Sequence, residues 1–251
     1  MNSNIKQFIR SISFWKDKIS IKTIDGGITN ENFLVQEKSK KYVVRLGSDI
    51  PEHLISRSNE LIVSKAAADA GLSPNVHYYE KGILILEYIE SSTLSSSDIK
   101  KNINSIIPIL KKIHVDIPKK LYGQSLIFWV FHVIINYTKF LKDNNSSYIN
   151  LLDDYLLNSK KLEKNSSPHE IVFGHNDLLP SNFLDDGSRI WIIDWEYAGY
   201  NSPLFDLGGL ASNNNFNLKD EIYLLENYFE KKINDELLIK YNCMKCASLL
   251  R

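Results

Sequence analysis

The sequence predicts an α+β protein of two lobes, a small antiparallel sheet within residues 1–90 and a larger, mainly helical part over 91–251. Three observations carry this. Short β-branched and aromatic runs separated by turn residues fill the first part, the pattern of hairpin strands. After Asp98 apolar residues recur at three- and four-residue intervals, the pattern of amphipathic helices. The helical part is interrupted at 171–206 by IVFGHNDLLPSNFLDDGSRIWIIDWEYAGYNSPLFD, which reads as strand, loop, strand, tight turn and strand.

Taken in order, residues 1–18 read as a short helix, with Ile5, Phe8, Ile9, Ile12 and Trp15 near helical spacing. Ile21 to Ile24, Phe33 to Val35 and Tyr42 to Leu46 read as strands, with turns at Gly26-Gly27 and Ser39-Lys40. A glycine hairpin ahead of a third strand can drape its backbone amides over phosphates, although Gly-Gly alone is more often a plain turn. Arg57 to Ala70 reads as a helix ended by Gly71. Val76 to Tyr79 and Ile83 to Tyr88 form a strand pair around Lys81-Gly82, and the polar, aperiodic stretch 91–97 is the natural lobe boundary.

In the second lobe, Ile99, Ile103, Ile106, Ile107, Leu110 and Ile113 mark a helix that Asp98 could cap, with Pro108 predicting a kink or restart and His114 in a structural role. Residues 124–142 carry an aromatic stripe read as core, and 148–163 form a further helix. Three more helices are expected at about 203–213, 218–230 and 234–251.

Asp177 and Asn182 are separated by four residues, in the pattern H-x-D-x-x-x-x-N of a phosphotransferase catalytic loop, and Asp194 follows the apolar run 190–193. A lone Asp or Asn in a loop is usually a turn former or cap; three in this order, on strand, loop and hairpin, are not so easily dismissed. Phosphoryl transfer needs positioning, magnesium and a group to accept the acceptor's proton. Asp177 is assigned as the base or orienting carboxylate, and Asn182 and Asp194 as magnesium ligands. His175 braces the loop by hydrogen bonding. A hairpin through Asp185-Asp186-Gly187 would bring Asn182 and Asp194 together.

HNDLLPSNFL followed by IDWEYAGYNSPLFDLG resembles the choline/ethanolamine kinase family, within the wider aminoglycoside-phosphotransferase-like superfamily. The resemblance extends, more weakly, from about Ile24 to the last residue. It implies a two-lobed protein-kinase-like fold using ATP and Mg2+. Gly26, Gly27, Thr29 and Asn30 then match a phosphate-side loop G-G-x-[ST]-N. Arg45 stands where a protein kinase has its third-strand lysine, and can hold phosphate while pairing with Glu60 on the following helix. Glu87 and Tyr88 fall at the adenine-binding hinge.

A quaternary ammonium wants aromatic faces and nearby negative charge, which Trp195, Glu196, Tyr197 and Tyr200 together offer. By resemblance Tyr197 is a wall of the amine pocket; Trp195 packs inside and Asp206 braces the loop. The last helix stops at MKCASLLR without a stop signal, whereas the family's helix continues into tryptophan-containing segments. That implies a truncated chain or a pocket open on one side. The implied substrate is a small amino alcohol such as choline or ethanolamine. Aminoglycoside or thiamine phosphorylation on the same fold, and a non-catalytic kinase-like binding protein, stay open.

Composition bounds these readings. The chain has 251 residues, 43% hydrophobic and 24% charged, as expected of a soluble globular protein. Thirty basic residues balance thirty acidic ones, so a nucleic-acid partner is not expected. No apolar run is long enough to span a membrane, and the N-terminus lacks a signal peptide's apolar core, so the expected location is cytoplasmic. Cys243 and Cys246 are expected to be ordinary reduced thiols on one helix face. Nothing in the chain specifies an oligomeric state.

Overall fold

The structure, a computed structural model, describes residues 3–24, 27 and 29–251. Helix α1 (Ser3–Ser11) precedes strands β1 (Ile19–Ile24), β2 (Glu31–Glu37) and β3 (Lys40–Leu46); α2 (Arg57–Asp69), β4 (Val76–Glu80) and β5 (Ile83–Glu87) follow. The five strands form one antiparallel sheet in the order β1-β2-β3-β5-β4. Alternation sets its buried face: Phe33, Val35, Tyr42, Val44 and Ile85 pack beneath Ile9 and Ile12 of the N-terminal segment. Helix α1 ends at Ser11, well short of residue 18. Trp15 still packs, its ring edge-on to Phe14 and its Nε1 donating to Ile9 O at 2.7 Å. Helix α2 is capped by Ser56 and buries Val63, Ala66 and Ala67 in the larger core rather than under the sheet.

The Ser-rich stretch is more ordered than its composition suggests. Ser92–Thr93 form β6, and Ser95 caps α3 (Ser96–Lys101) in a reciprocal box with Asp98. The expected cap, Asp98, is therefore the third helical residue. The restart expected at Pro108 falls instead at Asn102, whose amide and side chain both donate to Asp98 O. That local competition breaks the ladder. Helix α4 (Ile103–Val115) runs on through Pro108.

Helix α5 (Val130–Asp143) begins six residues later than residue 124, because the chain before it is committed to an extended pairing. Phe128 N donates to Tyr200 O and Tyr200 N to Leu126 O. Helix α6 (Leu152–Ser166) then leads to the stretch 171–206, which contains β7 (Val172–Gly174), β8 (Phe183–Asp185), β9 (Ile190–Ile192) and β10 (Gly199–Asn201). Strands β8 and β9 form the expected hairpin, with Gly187 at φ 86° in its turn. Strand β6 adds to its edge, and β10 pairs with β7. Helices α7 (Pro203–Asn213), α8 (Leu218–Phe229) and α9 (Asp235–Leu250) complete the larger lobe. Among the described residues no helix is long and apolar enough to cross a membrane.

Helices α7 and α9 approach closely at Gly208. A Cβ added to Gly208 would lie 2.8 Å from the Lys245 Cα, so this approach tolerates only glycine. Both cysteines on α9 are free thiols.

Candidate active site

A cleft of about 910 Å³ opens between the sheet and the 171–206 stretch. Leu34 and Val43 of β2 and β3 line one side, and Leu184 and Ile193 the other. Those opposed apolar faces suit a flat aromatic ring. Glu87 and Tyr88 lie along the cleft as the hinge reading expects. Their amides are already committed, to Asn75 O and Lys41 O, so a bound base would meet other main-chain groups, with Ile89 next in line.

At the inner end, β3 holds Arg45 between Asn32 and Leu84 of its neighbours, and α2 brings Glu60 up beside it. One guanidinium nitrogen, Arg45 Nη2, lies 3.1 Å from Glu60 Oε1 and 2.7 Å from Asp194 Oδ1. Arg45 and Glu60 are buried, while the Asp194 side chain stays 29% exposed towards the cleft. Burial disfavours ionisation of Asp194, but Arg45 outweighs it and holds the carboxyl below its usual range. Asp194 adopts φ 70°, a left-handed conformation uncommon for a non-glycine residue and found where a site dictates the backbone.

The hairpin brings Asn182 against the same strand, with Ile193 N donating to Asn182 O at 3.1 Å. Asn182 Nδ2 donates to Asp177 O at 2.8 Å, which commits the amide's donor and leaves Oδ1 as its acceptor. Asn182 Oδ1 and the second oxygen of Asp194 are thus the side-chain atoms that could hold a divalent cation. Among the described residues no group of three or more His, Cys, Asp or Glu side chains could hold a metal. A two-ligand site of this kind suits Mg2+, which completes its shell with water and phosphate oxygens. Arg45 Nε is buried without a partner, an orphan donor that a phosphate oxygen would satisfy.

The loop between β7 and β8 is held from below. Asp206, 2% exposed on α7, accepts from the amides of His175 at 2.8 Å and Asn176 at 2.7 Å. His114 Nε2 lies 3.1 Å from the same carboxylate, and its Nδ1 meets Tyr228 OH. Burial opposes ionisation of Asp206, yet these hydrogen bonds and the nearby histidine keep it below its usual range. His175 is fully buried. Asp177 N donates to its Nδ1, which fixes Nδ1 as acceptor and Nε2 as the donor to Ile193 O. The imidazole thereby spends both nitrogens on the backbone and is a brace. Asp177 lines the cleft, and burial raises its carboxyl above the usual range.

Two residues expected on the acceptor side make other contacts, although Glu196 still lines the cleft. Glu196, expected on the acceptor side, turns towards the first lobe: it accepts from Thr29 Oγ1 at 2.8 Å, Asn30 Nδ2 at 3.1 Å and Arg57 Nη1 at 2.9 Å. Thr29 and Asn30 are therefore tied to Glu196 by their side chains. The cause is charge, since a carboxylate at 4% exposure settles against the nearest buried guanidinium. Tyr200 is spent on β10, packing edge-on to Phe173 at 5.4 Å rather than lining the cleft. Gly27 lines the cleft, and a Cβ there would lie 2.3 Å from Asn30 O. Gly26 lies outside the described residues. Tyr197 lines the cleft beside Phe128, ring centroids 6.0 Å apart.

Sequence reasoning missed three residues. Arg57, 7% exposed, bonds Glu60, Glu196 and the carbonyls of Ser48 and Thr29; a cation in a helix's first turn, where acids are usual, was its only signal. Asn176 sits at φ 65° with its amide on Tyr197 O and Gly199 O, and asparagine's tolerance of that conformation was the signal. Arg251 reaches the cleft from the end of α9, and no local pattern marks it.

The profile of the choline/ethanolamine kinase family matches residues 21–240. The chain belongs to that family. Protein LicA of Haemophilus influenzae is 27% identical over 215 residues, covering 81% of this chain. The chain spans 61% of that relative's length. Among solved structures, choline kinase LicA from Streptococcus pneumoniae superimposes with a TM-score of 0.79 at 28% identity, covering 98% of this chain and 89% of the other. A LicA structure in complex with AMP gives 0.75 at 27% identity, covering 99% and 88%. The two-lobed, protein-kinase-like fold of this chain is shared with both of these structures.

Proposed function

We propose that this chain is an ATP- and Mg2+-dependent kinase that phosphorylates the hydroxyl of choline, ethanolamine or a related amino alcohol. The observation that carries the reading is one shared cleft. It holds the Arg45–Asp194 pair at its inner end, with the Asp177 carboxylate and the ring of Tyr197 lining the same space and the buried Phe128 packed against Tyr197. Those rings already accept a cation, for the Arg251 guanidinium carbon lies 4.3 Å from the Tyr197 centroid and 4.9 Å from that of Phe128.

When bound, Mg·ATP supplies the phosphoryl group and the charge neutralisation its transfer requires. Arg45, with its orphan Nε, orients phosphate oxygens; Asn182 and Asp194 offer the cation their side-chain oxygens. Asp177 receives the acceptor's hydroxyl proton, and its raised affinity for protons suits a base in this role. His175, Asn176 and Asp206 hold that carboxylate in place through the loop backbone. Tyr197 and Phe128 seat the ammonium group and point the hydroxyl at Asp177. The family and its LicA relatives support this substrate class.

The test is ADP release with Mg2+ and ATP, comparing choline, ethanolamine, thiamine and kanamycin with no acceptor. Stimulation by choline or ethanolamine is expected. Stimulation by kanamycin or thiamine alone would replace the proposed acceptor, and stoichiometric nucleotide binding without turnover would remove the catalytic reading.

A further inference from the structure

Arg251 lies inside the acceptor end of the cleft. Its side chain is 15% exposed, Nη1 donates to Asn176 O at 3.0 Å, and the same nitrogen is 3.9 Å from Asp177 Oδ1. The planar guanidinium faces two aromatic rings, Tyr197 and Phe128. A cation in the corner of two edge-to-face rings, beside a carboxylate, holds the place an ammonium head would take.

We propose that Arg251 is a tethered cation occupying the amine subsite, so that a cationic acceptor binds only by displacing it. Arg251 then determines acceptor affinity. This rests on the reading of the cleft as an amino-alcohol site. Two cations do not share one aromatic box, because their repulsion in a poorly solvated cleft exceeds what either gains from the rings. Displacement also exchanges the hydrogen bond to Asn176 O for water. The alternative role, a donor to the transferred phosphoryl group, makes the opposite prediction, since removing such a donor slows turnover.

The experiment compares the full chain with its Arg251→Ala variant. Tetramethylammonium binding is measured by calorimetry, and the KM for choline by ADP release. The variant is expected to bind tetramethylammonium about tenfold tighter and to show a choline KM about tenfold lower, the scale of one or two cation–π contacts. Methylguanidinium, which mimics the removed head, should inhibit the variant competitively and the parent at least tenfold more weakly. Equal or weaker tetramethylammonium binding by the variant overturns the inference, as does a fall in turnover with a raised KM. The two claims separate cleanly. Tighter tetramethylammonium binding with no turnover of any amino alcohol leaves Arg251 in the cation subsite and removes the proposed reaction. Choline turnover by both proteins at the same KM removes the role of Arg251 alone.

Discussion

Replacing Asp206 by alanine should unfold the support of the catalytic loop before it touches the chemistry. Its carboxylate accepts two backbone amides, those of His175 and Asn176, and faces His114 Nε2, all in a site 2% exposed. Alanine leaves both amides without an acceptor, each worth about 1–3 kcal/mol when buried, and removes the histidine's partner as well. The sum is roughly 3–6 kcal/mol. For a chain of this size about 1 kcal/mol moves the midpoint by ~2–4 °C, so a fall of roughly 6–24 °C is expected in thermal denaturation followed by circular dichroism. Asp206→Asn keeps one acceptor oxygen but turns an NH2 towards the second amide, and should fall between the two. Turnover should drop in both variants, because the same amides position Asp177. An alanine variant melting within about 2 °C of the parent would refute the reasoning, since it would mean water or a neighbour takes over both amides without loss.

The remaining predictions concern acid, base and packing. Asp206 has a depressed folded pKa, so its contribution to stability is present above the unfolded aspartate value of about 3.9 and lost as pH falls through the folded one. Urea melts of Asp206→Asn should therefore show a shallower loss of stability than the parent below about pH 4. Asp177→Asn should lower turnover by about 10²–10⁴-fold, with nucleotide binding retained in a calorimetric titration. Gly208→Ala gains about 1 kcal/mol of helix propensity but drives a methyl to 2.8 Å from the Lys245 Cα; a net loss of about 1–3 kcal/mol in a denaturant melt is expected.

What could be read from the chain was what the chain encodes locally. The hairpin around Gly187, the helix ending before Gly71 and the helices beginning at Pro203, Leu218 and Asp235 rest on turn and cap residues a few positions away. The start of α5 was illegible for the opposite reason: Tyr200, more than seventy residues on, holds the preceding strand extended. The site divides in the same way. Asp177, Asn182 and Asp194 stand at fixed short intervals, whereas Glu196 is placed by Thr29 and Arg57, from the other lobe. A carboxylate's sequence neighbours say nothing of which distant guanidinium will claim it. Arg251 was beyond reach too, because its partners, Asn176 O and the Asp177 carboxylate, lie more than seventy residues away in the sequence.

The buried cluster around Arg45 has an unequal balance. Two guanidiniums, Arg45 and Arg57, stand among three carboxylates, Glu60, Asp194 and Glu196. Burial and the proximity of Asp194 raise the Glu196 carboxyl above its usual range, the mark of a cluster short of positive charge. A polyphosphate approaching this cluster adds more negative charge to a region already short of positive charge. It can settle there only with positive charge of its own. On the proposed reading the divalent cation is part of the ligand that the cleft recognises, and the free nucleotide is a poor visitor to it.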